Sequence, residues 1–224
     1  KGNFFYFETP KKSAIWKNYV RSVSEKYIRR EYKVHNIEYP SSMIPIVLGY
    51  FGGLMHQVSK DAQEVLLIET LEVLKYIKPD TVIFLKPHMI SDLEVVHKVI
   101  KLFPELKIFI TYLHPMILAT DAQFVIANDY STALNDFNIM GTRTIEYASY
   151  NKKALEFTSG KSMRPEYVDY FINHDKLLLT KTINKLQEIK QKEEIEIDRN
   201  NINNNLVLNR VLNIRKKYEN FYYF

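Results

Sequence analysis

The sequence predicts an α/β fold in which a doubly wound parallel sheet carries helices on both faces. Short, unbroken apolar runs recur along the chain, each typical of a strand that is buried on both sides. Segments with helical periodicity separate these runs, and the connections have few residues. Of the 224 residues, 46% are hydrophobic and 25% are charged, which is ordinary for a globular protein and argues against a disordered or fibrous chain.

Predicted strands and helices alternate along the chain. Strands are predicted over residues 44–50, 81–85, 107–111 and 124–127, with a further strand that ends at Tyr147. Helices are predicted over residues 60–77, 92–103 and 175–192, together with a short helical turn after Pro115 and a helix that ends at Gly141. After Tyr147 we assign a loop rich in Lys, Ser and Gly, and no strand before the last of these helices. This alternation predicts a Rossmann-like sheet.

Amphipathic segments flank the predicted sheet. Ser13 is a predicted N-cap, and apolar residues recur at helical spacing from Trp16 to Tyr27. Residues 206–224 form a basic amphipathic helix with an aromatic end, preceded by a flexible connection over 191–205. We therefore divide the chain into residues 1–43 (helix and linker), 44–190 (α/β domain) and 191–224 (connection and helix). The terminal helices pack on the protein, on a partner subunit or at a membrane interface.

Charge and cysteine content limit the classes of function. The net charge of +5 and the pI near 9.1 favour an anionic partner such as a nucleotide, a phosphorylated lipid, an acidic membrane surface or nucleic acid. Lys and Arg are spread along the chain except at the C-terminus, which argues against nucleic acid. With no cysteine, disulfides and thiolate metal sites are excluded. We expect a cytoplasmic protein, with the inner face of the membrane as an alternative, because neither a spanning apolar run nor a leader is evident.

Polar and glycine residues follow three of the predicted strands. Lys86 and His88 lie just beyond one strand, and Gly52 and Gly53 lie beyond another. Residues 128–132 follow a third. In open α/β sheets ligands bind outside the carboxyl ends of the strands, so we expect these three groups to converge on one crevice. The glycine pair lets the backbone approach a ligand closely, or it is simply a turn.

The residue types in this crevice suit a phosphorylated ligand. Ser131 and Thr132, at the predicted start of a helix, offer hydroxyl and N–H donors to a phosphate. Lys86 can act as a fixed cation, and His88 can stabilise charge on a leaving phosphate. Asp136, in the first turn of the helix, can accept hydrogen bonds from a ribose. Each residue also has a structural alternative: a helix cap for Ser131, a dipole partner for Asp136, a solvated Lys86 and a hydrogen-bonded His88.

The order of these motifs carries a resemblance. Lys86-Pro87-His88 is followed by Asn128-Asp129-Tyr130-Ser131-Thr132, Asp136-Phe137, Gly141 and Ile145-Glu146-Tyr147. The order resembles the donor-nucleotide domain of GT-B glycosyltransferases over about residues 44–190. It is similar to bacterial sialyltransferases and Kdo transferases of capsule and lipopolysaccharide synthesis, and to teichoic-acid glycerophosphotransferases. Those families pair a Lys/Arg-x-His-Pro motif with a later Ser-Ser motif, and the resemblance implies the C-terminal-type half of the GT-B fold.

The resemblance also implies roles for individual residues. The donor phosphates are expected to contact His88, Lys86, Gly52, Gly53, Ser131 and Thr132. The nucleoside is expected beside Asn128, Asp129 and Asp136. Here His88 precedes Met89, whereas His114-Pro115 is a true His-Pro, so both histidines are catalytic candidates. No Asp-x-Asp metal motif is evident, and we expect neither a metal nor a cofactor beyond the nucleotide-sugar substrate.

Together these features predict a metal-independent glycosyltransferase, or its donor-binding part. It would move a sugar from a cytidine-linked donor of the CMP-sialic acid or CMP-Kdo type to a surface glycan or glycolipid acceptor. The alternatives are a glycerophosphotransferase or sugar-nucleotide epimerase-like enzyme on the same fold, or a non-enzymatic basic module that binds nucleotide or nucleic acid. Peripheral membrane contact or homo-oligomerisation through the terminal helices is a further expectation.

Overall fold

The computed structural model describes residues 9–39, 42–49, 60–88, 91 and 93–188. The chain divides into two compact units, one of residues 24–193 and one of residues 1–23 with 194–224. In the second unit, the described residues begin with a 3-10 turn (Pro10–Lys12), and α1 (Ala14–Val34) starts there. The Trp16 N–H donates to Ser13 Oγ at 3.2 Å, which confirms the predicted N-cap. The predicted C-terminal helix and the connection before it lie outside the described residues.

The larger unit is built on a sheet of six parallel strands. They are β1 (Met43–Leu48), β2 (Val82–Lys86), β3 (Lys107–Ile110), β4 (Phe124–Asn128), β5 (Arg143–Ala148) and β6 (Tyr170–Asn173). Their order in the sheet is β3-β2-β1-β4-β5-β6, and every neighbouring pair is parallel. The chain winds outward from β1 in one direction, returns to β4 and winds outward in the other direction. The predicted doubly wound, Rossmann-like fold is therefore confirmed.

Helices cover both faces of the sheet. After α1 they are α2 (Lys60–Ile77), α3 (Leu93–Ile100), α4 (Pro115–Leu118), α5 (Ala133–Met140), α6 (Lys152–Phe157) and α7 (Lys176–Glu188). Successive side chains of β1 point to opposite faces of the sheet, as the two-residue period of a strand requires. Ile44 and Ile46 pack with α2, α3 and α7, whereas Met43 and Val47 pack with the end of α1, α4 and α5. No helix in the described part of the chain is long and apolar enough to cross a bilayer.

The segment after β5 departs from the prediction. The predicted loop contains α6, and the run from Pro165, for which no element is predicted, contains the edge strand β6. In α6 the buried residue is Ala154, so no apolar stripe marks a helix in the sequence. The helix begins at Asn151, whose side-chain oxygen accepts from the Ala154 N–H at 3.0 Å. In β6 only Ile172 is buried, because the strand pairs with β5 alone. Neither element has the buried pattern on which sequence prediction depends.

Parallel strands give the sheet two distinct edges. We call the side on which the strands end the carboxyl edge, and the side on which they begin the amino edge. The carboxyl edge is formed by Leu48, Lys86, Ile110, Asn128, Ala148 and Asn173. All of the sequence-predicted site residues in the described ranges follow or end strands at this edge, except Asp136, which lies within α5.

Candidate functional site

The turn from β4 into α5 is the centre of the candidate site. Asp129 adopts a left-handed backbone conformation with φ 77°, and its Oδ1 accepts from the Tyr130 N–H at 2.7 Å. The Ala133 N–H donates to Ser131 Oγ at 3.3 Å, so Ser131 caps the helix, and Thr132 occupies the N-cap position. Because β4 ends at the carboxyl edge, the N-terminal end of α5 lies there, although the Leu134 and Asn135 N–H groups already donate to the carbonyls of Ser131 and Thr132.

His114 and Asp136 meet beside this turn. His114 is the N-cap residue of α4, and its Nδ1 accepts from the Met116 N–H at 3.2 Å. Its Nε2 lies 3.8 Å from Asp136 Oδ2, and the side chains of His114 and Asp136 are 49% and 10% exposed. Since Nδ1 accepts a hydrogen bond, the neutral ring carries its proton on Nε2, on the side of the carboxylate. The sequence predicted both residues at the site but did not predict their contact.

Lys86 and His88 lie on the other side of β1. In the sheet β1 stands between β2 and β4, and its last two residues pair with Lys86 and Asn128. Partial burial lowers the pKa of Lys86, while His88 is exposed. Gly52 and Gly53, the third predicted group, lie outside the described residues.

Asn128, which the sequence predicts beside a nucleoside, ends β4 with its side chain toward α2. Its side chain is fully buried. The Nδ2 group donates to Thr70 Oγ1 at 2.8 Å and to the Leu66 carbonyl at 3.3 Å, both on α2. The side chain therefore ties β4 to α2, because the alternation of the strand turns it toward that helix.

Two buried carboxyl groups lie at the same edge. Asp129 and Glu146 are each 1% exposed. Burial raises the pKa of Asp129 to about 6, although hydrogen bonds from the Tyr130 N–H and from Gln63 act in the opposite direction. Burial also raises the pKa of Glu146, and the charge of Asp129 adds to this effect. Buried carboxyl groups with raised pKa values are typical of functional sites.

Gln63 brings an unfilled acceptor to this cluster. The residue lies on α2 and is 1% exposed. Its Nε2 donates to Asp129 Oδ2 at 3.5 Å. Within the described ranges, neither Gln63 Oε1 nor Asn128 Oδ1 has a hydrogen-bond partner. Buried acceptors are nearly always satisfied in folded proteins, so Gln63 Oε1, whose amide contacts Asp129, has capacity for a further donor.

Glu146 organises the chain that follows β5. Its Oε1 accepts from the Tyr150 hydroxyl at 2.5 Å, and its Oε2 accepts from Ser162 Oγ at 2.6 Å. Arg164 donates its backbone N–H to Ser162 Oγ at 3.0 Å and its Nε–H to the Tyr130 hydroxyl at 3.3 Å. A guanidinium thus lies beside the turn into α5. Sequence reasoning quoted Glu146 in a motif without a role and missed Arg164, for which no local pattern is evident.

Within the described part of the chain, no group of three or more His, Asp or Glu side chains is placed to hold a metal ion. Beside its buried carboxyls, the carboxyl edge holds the N-terminal end of α5, the hydroxyls of Ser131 and Thr132, Lys86, Arg164 and the His114–Asp136 pair. The helix N-terminus, the hydroxyls and the cationic side chains are groups that can bind an anionic ligand.

The sheet order and the helices on both faces define a Rossmann-like α/β domain. No protein-family model matches the chain. No curated protein matches it in sequence. Solved structures do match it in fold.

Two of these structures are of UDP-GlcNAc 2-epimerase from Methanocaldococcus jannaschii. One has a TM-score of 0.53 and 16% sequence identity, and the match covers 86% of this chain and 51% of the epimerase chain. The other, in complex with UDP-GlcNAc and UDP, has a TM-score of 0.52 and 14% identity, with 94% and 54% covered. This chain spans about half the length of both, and such low identities show the fold alone.

A third structure is of a glycosyl transferase of family 9 from Veillonella parvula. It has a TM-score of 0.45 and 11% identity, and covers 77% of this chain and 45% of its own. At that TM-score the likeness adds nothing to the fold assignment.

Proposed function

We propose that the α/β domain binds the nucleotide part of a nucleotide sugar at its carboxyl edge and serves as the donor-binding part of a glycosyltransferase. The observation that carries the proposal is the turn from β4 into α5, which presents Ser131, Thr132 and the helix N-terminus beside the His114–Asp136 pair. The motif order of the sequence favours a cytidine-linked donor of the CMP-sialic acid or CMP-Kdo type and a surface glycan or glycolipid acceptor.

The phosphate would bind at the N-terminus of α5. The positive end of the helix dipole favours an anion there. The hydroxyls of Ser131 and Thr132 can donate to the same oxygens, although Ser131 already accepts from the Ala133 N–H through its lone pair. Lys86, across the end of β1, adds a positive charge near the same crevice. The transfer would therefore need no metal to balance the phosphate.

His114 is positioned to assist departure of the phosphate. Its ring is oriented by the Met116 N–H on one side and by Asp136 on the other. The proton on Nε2 of the neutral ring could stabilise the charge that develops on a leaving phosphate oxygen, and Asp136 would help to orient that N–H. The exposed His88 is the second candidate for this role, because it follows β2 at the same edge.

A sugar-nucleotide epimerase-like activity is the second candidate function. The observation that favours it is the fold match to structures of UDP-GlcNAc 2-epimerase. The two candidates differ in the expected base, which is cytosine for the transferase and uracil for the epimerase. Product analysis with CMP-linked and UDP-linked sugars separates them, since only an epimerase returns an altered nucleotide sugar without an acceptor.

Nucleotide titration of the 224-residue chain tests the proposal. CMP, CDP, UMP, UDP and GDP are added in thermal-shift and NMR experiments, and we expect a saturable response that is strongest for the cytidine ligands. A stronger response to the uridine ligands would favour the epimerase-like alternative. If none of the five nucleotides shifts the melting temperature or the spectrum, the domain does not bind nucleotides and the proposal is wrong.

Substitutions locate the site. Ser131→Ala should weaken nucleotide binding by about 2–10-fold, as expected for the loss of one neutral hydrogen bond. Ser13→Ala is the matched control, because it removes an equivalent cap from α1. His88→Ala and His114→Ala show which histidine contacts the phosphate. Unchanged affinity in Ser131→Ala and in both histidine variants would place the nucleotide elsewhere.

A further inference from the structure

We propose that Arg164 is a further ligand-binding residue, and that its ligand carries a second oxyanion next to the phosphate at the N-terminus of α5. That oxyanion is either the second phosphate of a nucleoside diphosphate or the carboxylate of a sugar acid linked to a nucleoside monophosphate. The inference rests on the proposed function, because it takes the first turn of α5 as the place of the first phosphate.

The position of the guanidinium is the first argument. Arg164 Nε donates to the hydroxyl of Tyr130, the residue directly before Ser131. The side chain is exposed, and no ion-pair partner or Nη hydrogen bond links it to the described residues. Of the five N–H donors of an arginine, four are therefore available at the turn into α5. A guanidinium binds a planar or tetrahedral oxyanion through two parallel hydrogen bonds.

The second argument is that buried groups hold Arg164 in place. Its backbone N–H donates to Ser162 Oγ at 3.0 Å, and Ser162 Oγ donates to Glu146 at 2.6 Å. Ser162 is 3% exposed and Glu146 is 1% exposed. The Tyr150 hydroxyl occupies the other oxygen of Glu146. Glu146 is thus a positioning residue: it fixes the backbone that presents the guanidinium and does not itself reach the ligand.

The third argument is independent and concerns Gln63. Its amide lies on Asp129, which in turn accepts from the Tyr130 N–H. The buried Oε1 of this amide has no hydrogen-bond partner among the described residues. Gln63 is 1% exposed, and a polar atom buried to this degree is satisfied in nearly all folded proteins. The unfilled acceptor can therefore take a donor from a bound group, such as a hydroxyl of the ligand.

The test compares nucleotide ligands that carry one oxyanion with ligands that carry two. Isothermal titration calorimetry on the full chain uses CMP, CDP and CMP-N-acetylneuraminic acid, with UMP and UDP as the uridine pair. We expect Arg164→Gln to weaken binding of the ligand with the matching second oxyanion by about tenfold or more, and binding of the monophosphates by less than about twofold. A selective loss for CDP and UDP identifies a diphosphate, and a selective loss for the CMP-linked acid identifies a carboxylate.

Three further variants separate recognition from general charge. Lys161→Gln removes one exposed positive charge from the same loop. We expect it to change the affinity for ligands with one oxyanion and with two oxyanions to the same extent. Arg164→Lys keeps the charge but loses the paired donors, so its effect should fall between those of wild type and Arg164→Gln. Tyr130→Phe removes the acceptor of Arg164 Nε–H and should weaken two-oxyanion ligands in wild type but have no added effect in Arg164→Gln.

The outcomes distinguish this inference from the proposed function. If Arg164→Gln weakens all nucleotides equally, or none, Arg164 does not read a second oxyanion, while the nucleotide site stands. If the wild-type chain binds no nucleotide, the proposed function fails and this inference fails with it. Because Arg164 is exposed, the melting temperature of the Arg164→Gln variant without ligand should match that of wild type.

Discussion

The amino edge and the carboxyl edge of the sheet both bury polar groups, but the two edges differ in how fully these groups are hydrogen-bonded. At the amino edge, Thr144 Oγ1 donates to the Tyr167 carbonyl at 2.8 Å and accepts from the Asp169 N–H at 3.0 Å. Asp169 Oδ2 accepts from the Thr144 N–H at 2.9 Å, and its Oδ1 lies 3.5 Å from Arg143 Nη1. Although Arg143 Nε has no described partner, these groups otherwise satisfy one another and close the end of the sheet.

The carboxyl edge keeps groups that the fold does not satisfy. Asp129 and Glu146 are buried carboxyls with raised pKa values. Gln63 and Asn128 each retain a buried oxygen with no partner in the described ranges. We therefore expect the polar groups at the amino edge to stabilise the sheet, and the buried carboxyls at the carboxyl edge to reduce its stability when they are ionised. Proteins tolerate such groups where they serve a ligand, because selection acts on function as well as stability.

The largest expected effect is at Asp129. Burial raises its pKa from the ordinary value of 3.8 to about 6. Between about pH 4 and pH 6 the folded protein therefore binds more protons than the unfolded chain, and stability falls as pH rises through this window. Above it, the ionised carboxyl costs about 3 kcal/mol. Asp129→Asn should raise the free energy of unfolding at pH 7.5 by up to that amount and flatten its pH dependence, measured by urea unfolding from pH 4 to pH 8.

Asp169→Asn is the matched control at the amino edge. The chemical change is the same, but here it weakens charge-assisted bonds to the Thr144 N–H and to Arg143. We expect a loss of about 1–2 kcal/mol at pH 7.5. Effects of the same sign in the two variants would contradict the contrast between the edges.

An intermediate effect is expected at Thr144, which is fully buried. Thr144→Val removes the hydroxyl and leaves the Tyr167 carbonyl and the Asp169 N–H without their partner. The free energy of unfolding should fall by about 2 kcal/mol, with nucleotide affinity unchanged once the folded fraction is taken into account. Urea unfolding and calorimetric titration measure the two quantities. A change in affinity would show that the amino edge is more than structural.

The smallest expected effect is at Gly49, which follows β1 at the carboxyl edge. A Cβ there would lie 3.3 Å from the Asn128 carbonyl oxygen and 3.3 Å from Asp129 Cβ. Gly49→Ala should therefore displace the turn into α5, at a cost of about 1 kcal/mol, and should also weaken nucleotide binding.

Gly160→Ala provides the control for Gly49→Ala. Gly160 has φ 72° and no atom within 4 Å of an added Cβ, so its cost, also about 1 kcal/mol, comes from backbone conformation alone. Nucleotide affinity should stay as in wild type for Gly160→Ala. Equal affinities in the two alanine variants would mean that the turn beside Gly49 does not position the ligand.

Prediction succeeded where a segment carries its own pattern. The bounds of α2 were predicted correctly, and β1, β2 and β4 were found to within one or two residues, because their apolar runs are buried by the sheet they form. Gly141 ends α5 as predicted, since its φ of 90° suits glycine. The structure places β6 and α6 where the sequence shows no such pattern, because their surroundings, not their own periodicity, determine them.

The sequence by itself determined the alternation of strands and helices, the polar turn after β4 and the residue types that favour a phosphate there, because these depend on neighbours along the chain. Only the tertiary structure decided that Asn128 faces α2, that His114 meets Asp136 and that Arg164 lies beside Tyr130. Each of these contacts joins residues from different elements. The order of the strands in the sheet and the side to which each residue points bring these residues together. The spacing of residues along the sequence predicts neither of the two.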